Sequence, residues 1–326
     1  MYHLFECRDV QLFEPLAREE LLLNGTDGRL PVLMIWRGPK AVVLGKNQNP
    51  WKECNPEVIQ DRGLLLARRV SGGGTVYHDP GNVNFSWVVD RKSYRPDLLH
   101  GVLRDALARF GLAAETAPSG ATLVQGHKVS GAAYCYRQER VLHHGTMLWG
   151  ADLPTLRAAL SAPRVRLKTH AVNSVPARVK NLSELLPDVE VEEVIEALVN
   201  EAETLFGTAE LWEGGAEGLA ETETRFRSAE WIWGQTPRFE VCLDAEDVRM
   251  EMVIRKGRVE KVQVGEREWV FPEPPWFGSG VEKSLAEVSG VGAGKISAAL
   301  ETEGWSRCFR SMNTLQPFVS RRILIP

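Results

Sequence analysis

The sequence predicts an α+β protein: a largely antiparallel or mixed sheet with flanking helices, followed by a small α+β accessory domain. Two patterns predict it. Through the first two thirds, short β-branched, aromatic or leucine-rich runs punctuated by Gly, Pro, Asn and Asp alternate with longer segments of helical period. Beyond residue 235 the pattern changes to strict two-residue alternation and then to two short helix-like stretches. The expected division is residues 1–235 for a larger domain and 236–326 for a smaller one.

Taken in order, Val32–Trp36, Ala41–Leu44, Leu64–Ala67, Thr75–Tyr77 and Asn84–Val89 read as strands. Between Pro96 and Gly111 the apolar residues Leu99, Val102, Leu103, Ala106, Leu107 and Phe110 recur at helical spacing, with Asp97 near the N-cap and Gly111 as the stop. Val191, Val194, Ile195, Leu198, Val199, Ala202, Leu205 and Phe206 repeat that pattern up to Gly207. These helices are expected on one face of the sheet. Glu210–Gly218 reads as a loop, and Trp231–Pro237 as a hinge into the second domain. There Val248, Met250, Met252 and Ile254 alternate, Lys256-Gly257 makes a turn, and Val262 and Val264 begin the returning strand. Helices are expected at about Val281–Val288 and Lys295–Glu303.

Of the 326 residues, 44% are hydrophobic and 25% charged, an ordinary globular composition. No apolar run reaches the length of a membrane span, and the N-terminal residues Met1–Arg8 lack the apolar core of a secretion signal. A net charge of −4 gives no bulk reason to expect a nucleic acid as partner. Cys7, Cys54, Cys135, Cys242 and Cys308 are odd in number and widely spaced, with no Cys-x-x-Cys pair, which argues against a disulfide framework or zinc site and for a reducing cytoplasm.

The densest segment runs Arg68-Arg69-Val70-Ser71-Gly72-Gly73-Gly74-Thr75-Val76-Tyr77-His78-Asp79-Pro80-Gly81-Asn82. Three consecutive glycines between strands let a ligand lie against bare backbone, and Arg69 offers a fork for phosphate or carboxylate. The segment is neither a Walker loop nor a dinucleotide fingerprint, since both glycine spacings are wrong. Lys128, within Gly126-His127-Lys128-Val129-Ser130-Gly131-Ala132-Ala133-Tyr134, could place one ammonium in a narrow cleft, although most lysines are solvated. Leu142-His143-His144-Gly145-Thr146 reads as a strand with one histidine facing inward. Asn173–Leu182 reads as a loop leading into a helix.

Together and in this order, the four clusters resemble one family, the lipoate–protein ligases. Arg-Arg-x-Ser-Gly-Gly-Gly-x-Val-x-His-Asp-x-Gly-Asn, Lys-Val-Ser-Gly-x-Ala-Tyr, His-His-Gly-Thr and Ser-Val-x-x-Arg-Val-x-Asn-Leu carry the likeness, with Gln48–Asn55 upstream. It spans about residues 1–205 specifically and the accessory domain loosely. The resemblance implies a biotin/lipoyl ligase-like catalytic domain that uses ATP and Mg²⁺ to make lipoyl-AMP, then acylates a lysine of a carrier domain. The implied carriers are 2-oxoacid dehydrogenase E2 subunits and the glycine cleavage H protein, and the implied state is a cytoplasmic monomer. By match, Lys128 would bridge phosphate and carboxyl oxygen in catalysis. Arg69, Gly74, Thr75, Val76 and Tyr77 would hold the adenylate. Ser71, Gly73, His78, Asn82, His144 and Gly145 would line the lipoyl tunnel or its mouth, and Mg²⁺ would be bound mainly through ATP. Trp36, Val76 and Leu148 would flank the anion site with apolar surface.

Two departures from the family pattern stand out. Ser119-Gly120-Ala121-Thr122 replaces an Asn-Asp pair near the adenylate, and Cys135 stands where relatives can carry Arg. The nearest competing reading is an octanoyl or lipoyl transferase of the same fold. Such relatives attack with a cysteine in the loop before the lysine, and Glu115–Gly120 contains none. A nucleic-acid-binding hairpin at Val288–Lys295 and a biotin–protein ligase are weaker readings: a turn between packing helices explains the first, and the paired arginines and triple glycine oppose the second.

Overall fold

The fold is that of a computed structural model, which describes residues 1–302 apart from 8–9, 26–27, 163–166, 214–216, 246–247 and 278–280. Its centre is an eight-stranded mixed sheet. In spatial order the strands are β12 (Ala209–Leu211), β1 (Tyr2–Cys7), β2 (Val32–Trp36), β6 (Asn82–Asp90), β10 (Arg140–Leu148), β9 (His127–Arg137), β8 (Thr122–Val124) and β7 (Ala114–Thr116). β1 runs parallel to both neighbours, and the pairs from β2 to β7 are antiparallel.

Every residue of β2 is buried, so both faces of the sheet are covered there. Alternate side chains go to separate cores. Val32, Met34 and Trp36 meet Phe13, Leu16, Leu22 and Leu23 of helix α1 (Phe13–Asn24). Beneath them lies a smaller sheet of β4 (Leu65–Arg68), β3 (Ala41–Leu44) and β5 (Val76–His78). Leu33 and Ile35 meet α4 (Pro96–Ala108) and α6 (Val191–Phe206) through Leu99, Val102, Leu103, Val194 and Leu198. Helices therefore cover both faces, where the sequence placed them on one. α1 carries Arg18, Glu19 and Glu20 among its buried residues, which blurs its amphipathic signal.

The two long helices lie where their periodicity put them. Asp97 sits in the first turn of α4 without capping it, where a carboxylate still complements the helix dipole. Short helices α2 (Pro50–Glu53) and α3 (Pro56–Asp61) start on Asn49 and Asn55, whose side chains accept backbone N–H bonds.

A third sheet joins β11 (Leu167–Thr169), β13 (Phe239–Ala245), β14 (Val248–Arg255), β15 (Arg258–Val264) and β16 (Arg267–Val270), all antiparallel. Met250, Met252 and Ile254 are its buried row, and Lys256 and Gly257 turn the hairpin with φ of 50° and 71°. Its edge strand β11 comes from residues well before the hinge. Trp51 stacks within 5.6 Å of Trp233, Phe239 and Phe277, so the third sheet shares a core with the α1 face. Trp231, Ile232 and Trp233, expected as a hinge, are buried around α8 (Ala229–Ile232) after α7 (Leu219–Phe226). α5 (Leu153–Ala159) packs beside α3, while α9 (Val281–Ser289) and α10 (Ala293–Thr302) are joined through Gly290, a turn between two helices packed into the core. Glu303 and Cys308 lie outside the described residues.

Candidate active site

Between the main sheet and the small β4–β3–β5 sheet lies a cavity of about 460 Å³. One wall is the pocket-facing row of three adjacent strands. Asn84 and Ser86 come from β6, His144 and Thr146 from β10, and Gly131 and Ala133 from β9, in direct cross-strand register. The glycine bend forms the opposite wall. One flank, around Val172–Ala177, is open, with Val172 and Val175 exposed; the other ends on Leu16, Glu19, Trp36 and Ser86, all buried.

The bend is built by Arg69. Its Nη2 donates to the Gly72 and Gly74 carbonyls at 2.6 and 2.8 Å, its Nε to Ser71 Oγ at 2.9 Å, and its Nη1 to Val43 O at 3.2 Å. The fork expected to grip a ligand anion is thus largely occupied by backbone, and the buried guanidinium reaches the cavity chiefly through its field. Gly73 has φ 84°, a conformation that costs other residues about 1–2 kcal/mol, and its missing Cβ leaves room for that guanidinium.

Lys128 supplies the charge that is left over. Its backbone is bonded to the Val172–Lys180 segment, donating to Arg178 O at 2.8 Å and accepting from Lys180 N at 3.2 Å. Its side chain folds back across β9 over Gly131, where a Cβ would lie a tight 3.1 Å from both Cε and Nζ. No described residue pairs with the ammonium. Burial, and then the nearby Arg69, lower its pKa, so an anion in the cavity would relieve both effects.

A strap over the open flank is tied by one network. Ser174 Oγ donates to Glu53 Oε2 and accepts from Thr75 N (2.9 Å) and Gln48 Nε2 (3.0 Å). Gln48 Oε1 in turn accepts from Thr75 Oγ1 at 2.8 Å and Gly45 N at 2.9 Å.

Of the residues singled out in the sequence, Lys128, Arg69, Gly73, Gly74, Thr75, Val76, His78, His144 and Gly145 line the cavity. Three do not. Tyr77 alternates to the other side of β5 and joins the core. Ser71 lies behind the wall, 2.6 Å from His144 Nε2, and Asn82 acts through Asn84, donating to its Oδ1 at 2.9 Å. Trp36 and Val76 flank the site, whereas Leu148 packs with Ala151 and Leu153 instead. His143 and His144 are both buried, not one, because both sheet faces are covered. His143 meets Tyr94, His100 and Tyr134 on the far side, and burial pushes its pKa down to about 3. His78, beside Arg69 and His144, is pushed down to about 3, mainly by burial.

Sequence reasoning missed Glu19, Asn84 and Ser86, which carry no motif. Glu19 shares α1 with Glu14, Arg18 and Glu20, so no local signal separates it.

A family model described as the lipoyl protein ligase A/B catalytic domain matches residues 11–203, more than half the chain. Among solved structures, Plasmodium falciparum LipL1 in complex with lipoate is similar at 24% identity and TM-score 0.65, over 81% of this chain and 84% of that one. A putative lipoate protein ligase of Thermoplasma acidophilum with bound lipoic acid is 24% identical, with TM-score 0.59 over 71% of this chain and 99% of its own. Lipoate–protein ligase A bound with ATP is 23% identical, with TM-score 0.59 over 71% and 98%. These structures share the fold, and the family match adds the sequence: the chain belongs to the lipoyl protein ligase A/B catalytic-domain family.

Proposed function

We propose that this chain is an ATP-dependent lipoate–protein ligase, forming lipoyl-AMP and then transferring the lipoyl group to a lysine of a carrier domain. The observation that carries this reading is the Lys128 ammonium, part-buried, unpaired among the described residues and set beside a bare glycine bend. In the first half-reaction a carboxylate oxygen of lipoate attacks the α-phosphorus of ATP and the bond to pyrophosphate breaks. In this reading Lys128 neutralises charge on both the phosphoryl and the carboxyl oxygens. In the second, the neutral amine of the acceptor lysine attacks the acyl carbon and AMP departs. No protein nucleophile is required, because the mixed anhydride is already activated.

In this reading Mg²⁺ arrives on the phosphate oxygens of ATP. Acceptor domains meet the open flank, where exposed Val172 and Val175 neighbour Arg178 and Lys180. E2 lipoyl domains and the H protein of glycine cleavage are the carriers in this proposal. An E2 lipoyl domain accompanies the bipartite lipoate protein ligase of T. acidophilum. The enzyme acts as a monomer in the cytoplasm, and no described helix is long and apolar enough to cross a membrane. Residues 236–326 serve as the accessory domain to 1–235. Cys135 favours no rival transferase mechanism, since burial raises the pKa of its thiol.

Lys128→Ala should lower lipoyl-AMP formation by about 10²–10³-fold or more, the cost of one preorganised charge-stabilising group, in a folded protein. Pyrophosphate release from ATP and lipoate measures it. Unchanged release, or acyl transfer from an octanoyl carrier without ATP, would overturn the proposal.

A further inference from the structure

The strap over the open flank is gripped at both ends. At one end the backbone of Lys128 donates to Arg178 O and accepts from Lys180 N. At the other, Val172 N donates to Asn47 O at 3.1 Å, and Glu53 Oε2 accepts both the Ser174 N–H, at 3.1 Å, and the Ser174 hydroxyl proton. Ser174 and Arg178 are four positions apart, so the chain between the grips spans at most about 14 Å. The first grip also holds the glycine bend, since Ser174 Oγ accepts from Thr75 N, and the second is Lys128 itself. The strap thus ties the bend to the lysine over a limited length.

Donor and acceptor roles around Ser174 admit one assignment. Gln48 Oε1 accepts from Gly45 N and Thr75 Oγ1, so Gln48 presents its amide nitrogen to Ser174. Thr75 N is a donor as well. The single Ser174 proton therefore goes to Glu53, and position 53 must supply an accepting atom, because an N–H and an O–H of one residue both point at it. Glu53 itself is 7% exposed and does not line the cavity. It sits at the end of α2, which is capped by Asn49 and anchored by Trp51 in the aromatic stack with Trp233, Phe239 and Phe277. Its carboxylate is held from the core side, independently of the strap.

We infer that Glu53 is a positioning residue for adenylate formation: acting through Ser174, it holds the strap so that the glycine bend and the Lys128 ammonium meet the same ATP. The inference rests on the ligase reading above and adds to it a residue that touches no substrate. Without the carboxylate the strap visits arrangements that do not bind ATP, and the apparent affinity falls in proportion to the fraction that remains competent. Once ATP is bound the ligand holds the strap, and the chemical step proceeds as before. KM for ATP rises while kcat holds. A mere loss of folded protein does the reverse.

Pyrophosphate release by the full chain is measured at saturating lipoate and varied ATP, and the rate of tryptic cleavage after exposed Arg178 reports how firmly the strap is held. Glu53→Ala is expected to raise KM for ATP about tenfold with kcat within about threefold, and to speed cleavage after Arg178 about tenfold. Glu53→Gln keeps an acceptor oxygen and should return KM to within about threefold of the unaltered chain. Ser174→Ala removes the hydroxyl alone, should raise KM about fivefold, and decides the matter if Glu53→Ala does not fold. A fall in kcat with KM unchanged, or equal losses in the alanine and glutamine variants at position 53, overturns the proposal. Should the unaltered chain release no pyrophosphate, the ligase reading falls. Cleavage then judges the grip by itself: a faster cut in Glu53→Ala upholds it, and an equal rate overturns it.

Discussion

Replacing Arg68 with methionine should destabilise the protein by about 4 kcal/mol and loosen the cavity from a distance. Arg68 is fully buried at the end of β4, with its pKa lowered to about 9 by burial, so it remains charged at neutral pH. Nη1 reaches the carbonyls of Gly45, Lys46 and Gln48 at 2.9–3.0 Å, Nε reaches Ile232 O at 2.8 Å, and Nη2 reaches Thr236 Oγ1 at 3.1 Å. Trp231 Nε1 closes the clamp on Arg68 O at 2.7 Å. Methionine fills much of the stem and keeps the backbone carbonyl that Trp231 bonds, but its side chain pairs with none of the groups the guanidinium holds. Three buried carbonyls and one part-buried carbonyl, that of Lys46, then lose a charged donor, and at about 1 kcal/mol each for an abandoned acceptor the sum is about 4 kcal/mol. Against a typical total of about 5–15 kcal/mol that is a large fraction, and the urea midpoint reports it directly. Thr236→Val removes a single contact and should cost about 1 kcal/mol. A functional loss accompanies the large one. The carbonyl of Gln48 is held by Arg68, and its side chain holds Thr75 and Ser174, so KM for ATP should rise in Arg68→Met. An urea midpoint corresponding to less than about 1 kcal/mol of change would mean that the freed carbonyls find other partners, and the clamp argument would fail.

Gly131→Ala places a methyl group 3.1 Å from Lys128 Nζ and Cε, so the end of that side chain must give way by a few tenths of an ångström. Adenylate formation should fall by about threefold or more with little change in thermal midpoint, and a normal rate would show that the folded-back lysine is not the productive one. Stability should also fall steeply in mild acid. The pKa values of His78 and His143 are lowered to about 3 in the folded protein, so between there and about 6.5 the unfolded chain binds more protons and folding weakens as pH falls. Both histidines together give a slope of roughly 2 kcal/mol per pH unit between pH 6 and 4, and His143→Phe should remove about half of it. A urea midpoint for His143→Phe that falls as steeply as that of the unaltered protein would count against this account.

What the sequence reveals and what it hides divide along a physical line. The glycine bend, Lys128 and the histidine strand are legible because each needs an uncommon residue type at a fixed local spacing: a positive φ at Gly73, an absent Cβ at Gly131, a cation entering a strand. Which way a side chain points is legible only when the covering of each sheet face is known. Val76 and His78 reach the cavity and Tyr77 does not, by simple alternation, yet the same alternation failed for His143, whose outward face is roofed by α4. Arg68 and Arg69 show the limit most clearly. Adjacent on the chain, they point to opposite sides; one folds the bend and the other grips Ile232 and Thr236, more than 160 positions later. Nothing in the local sequence separates the two tasks. Glu19 and Ser86 are hidden for the same reason, since they come together only when α1 docks on β6. Local rules therefore find the atoms that meet the reacting groups, while the residues that hold those atoms in place depend on long-range register.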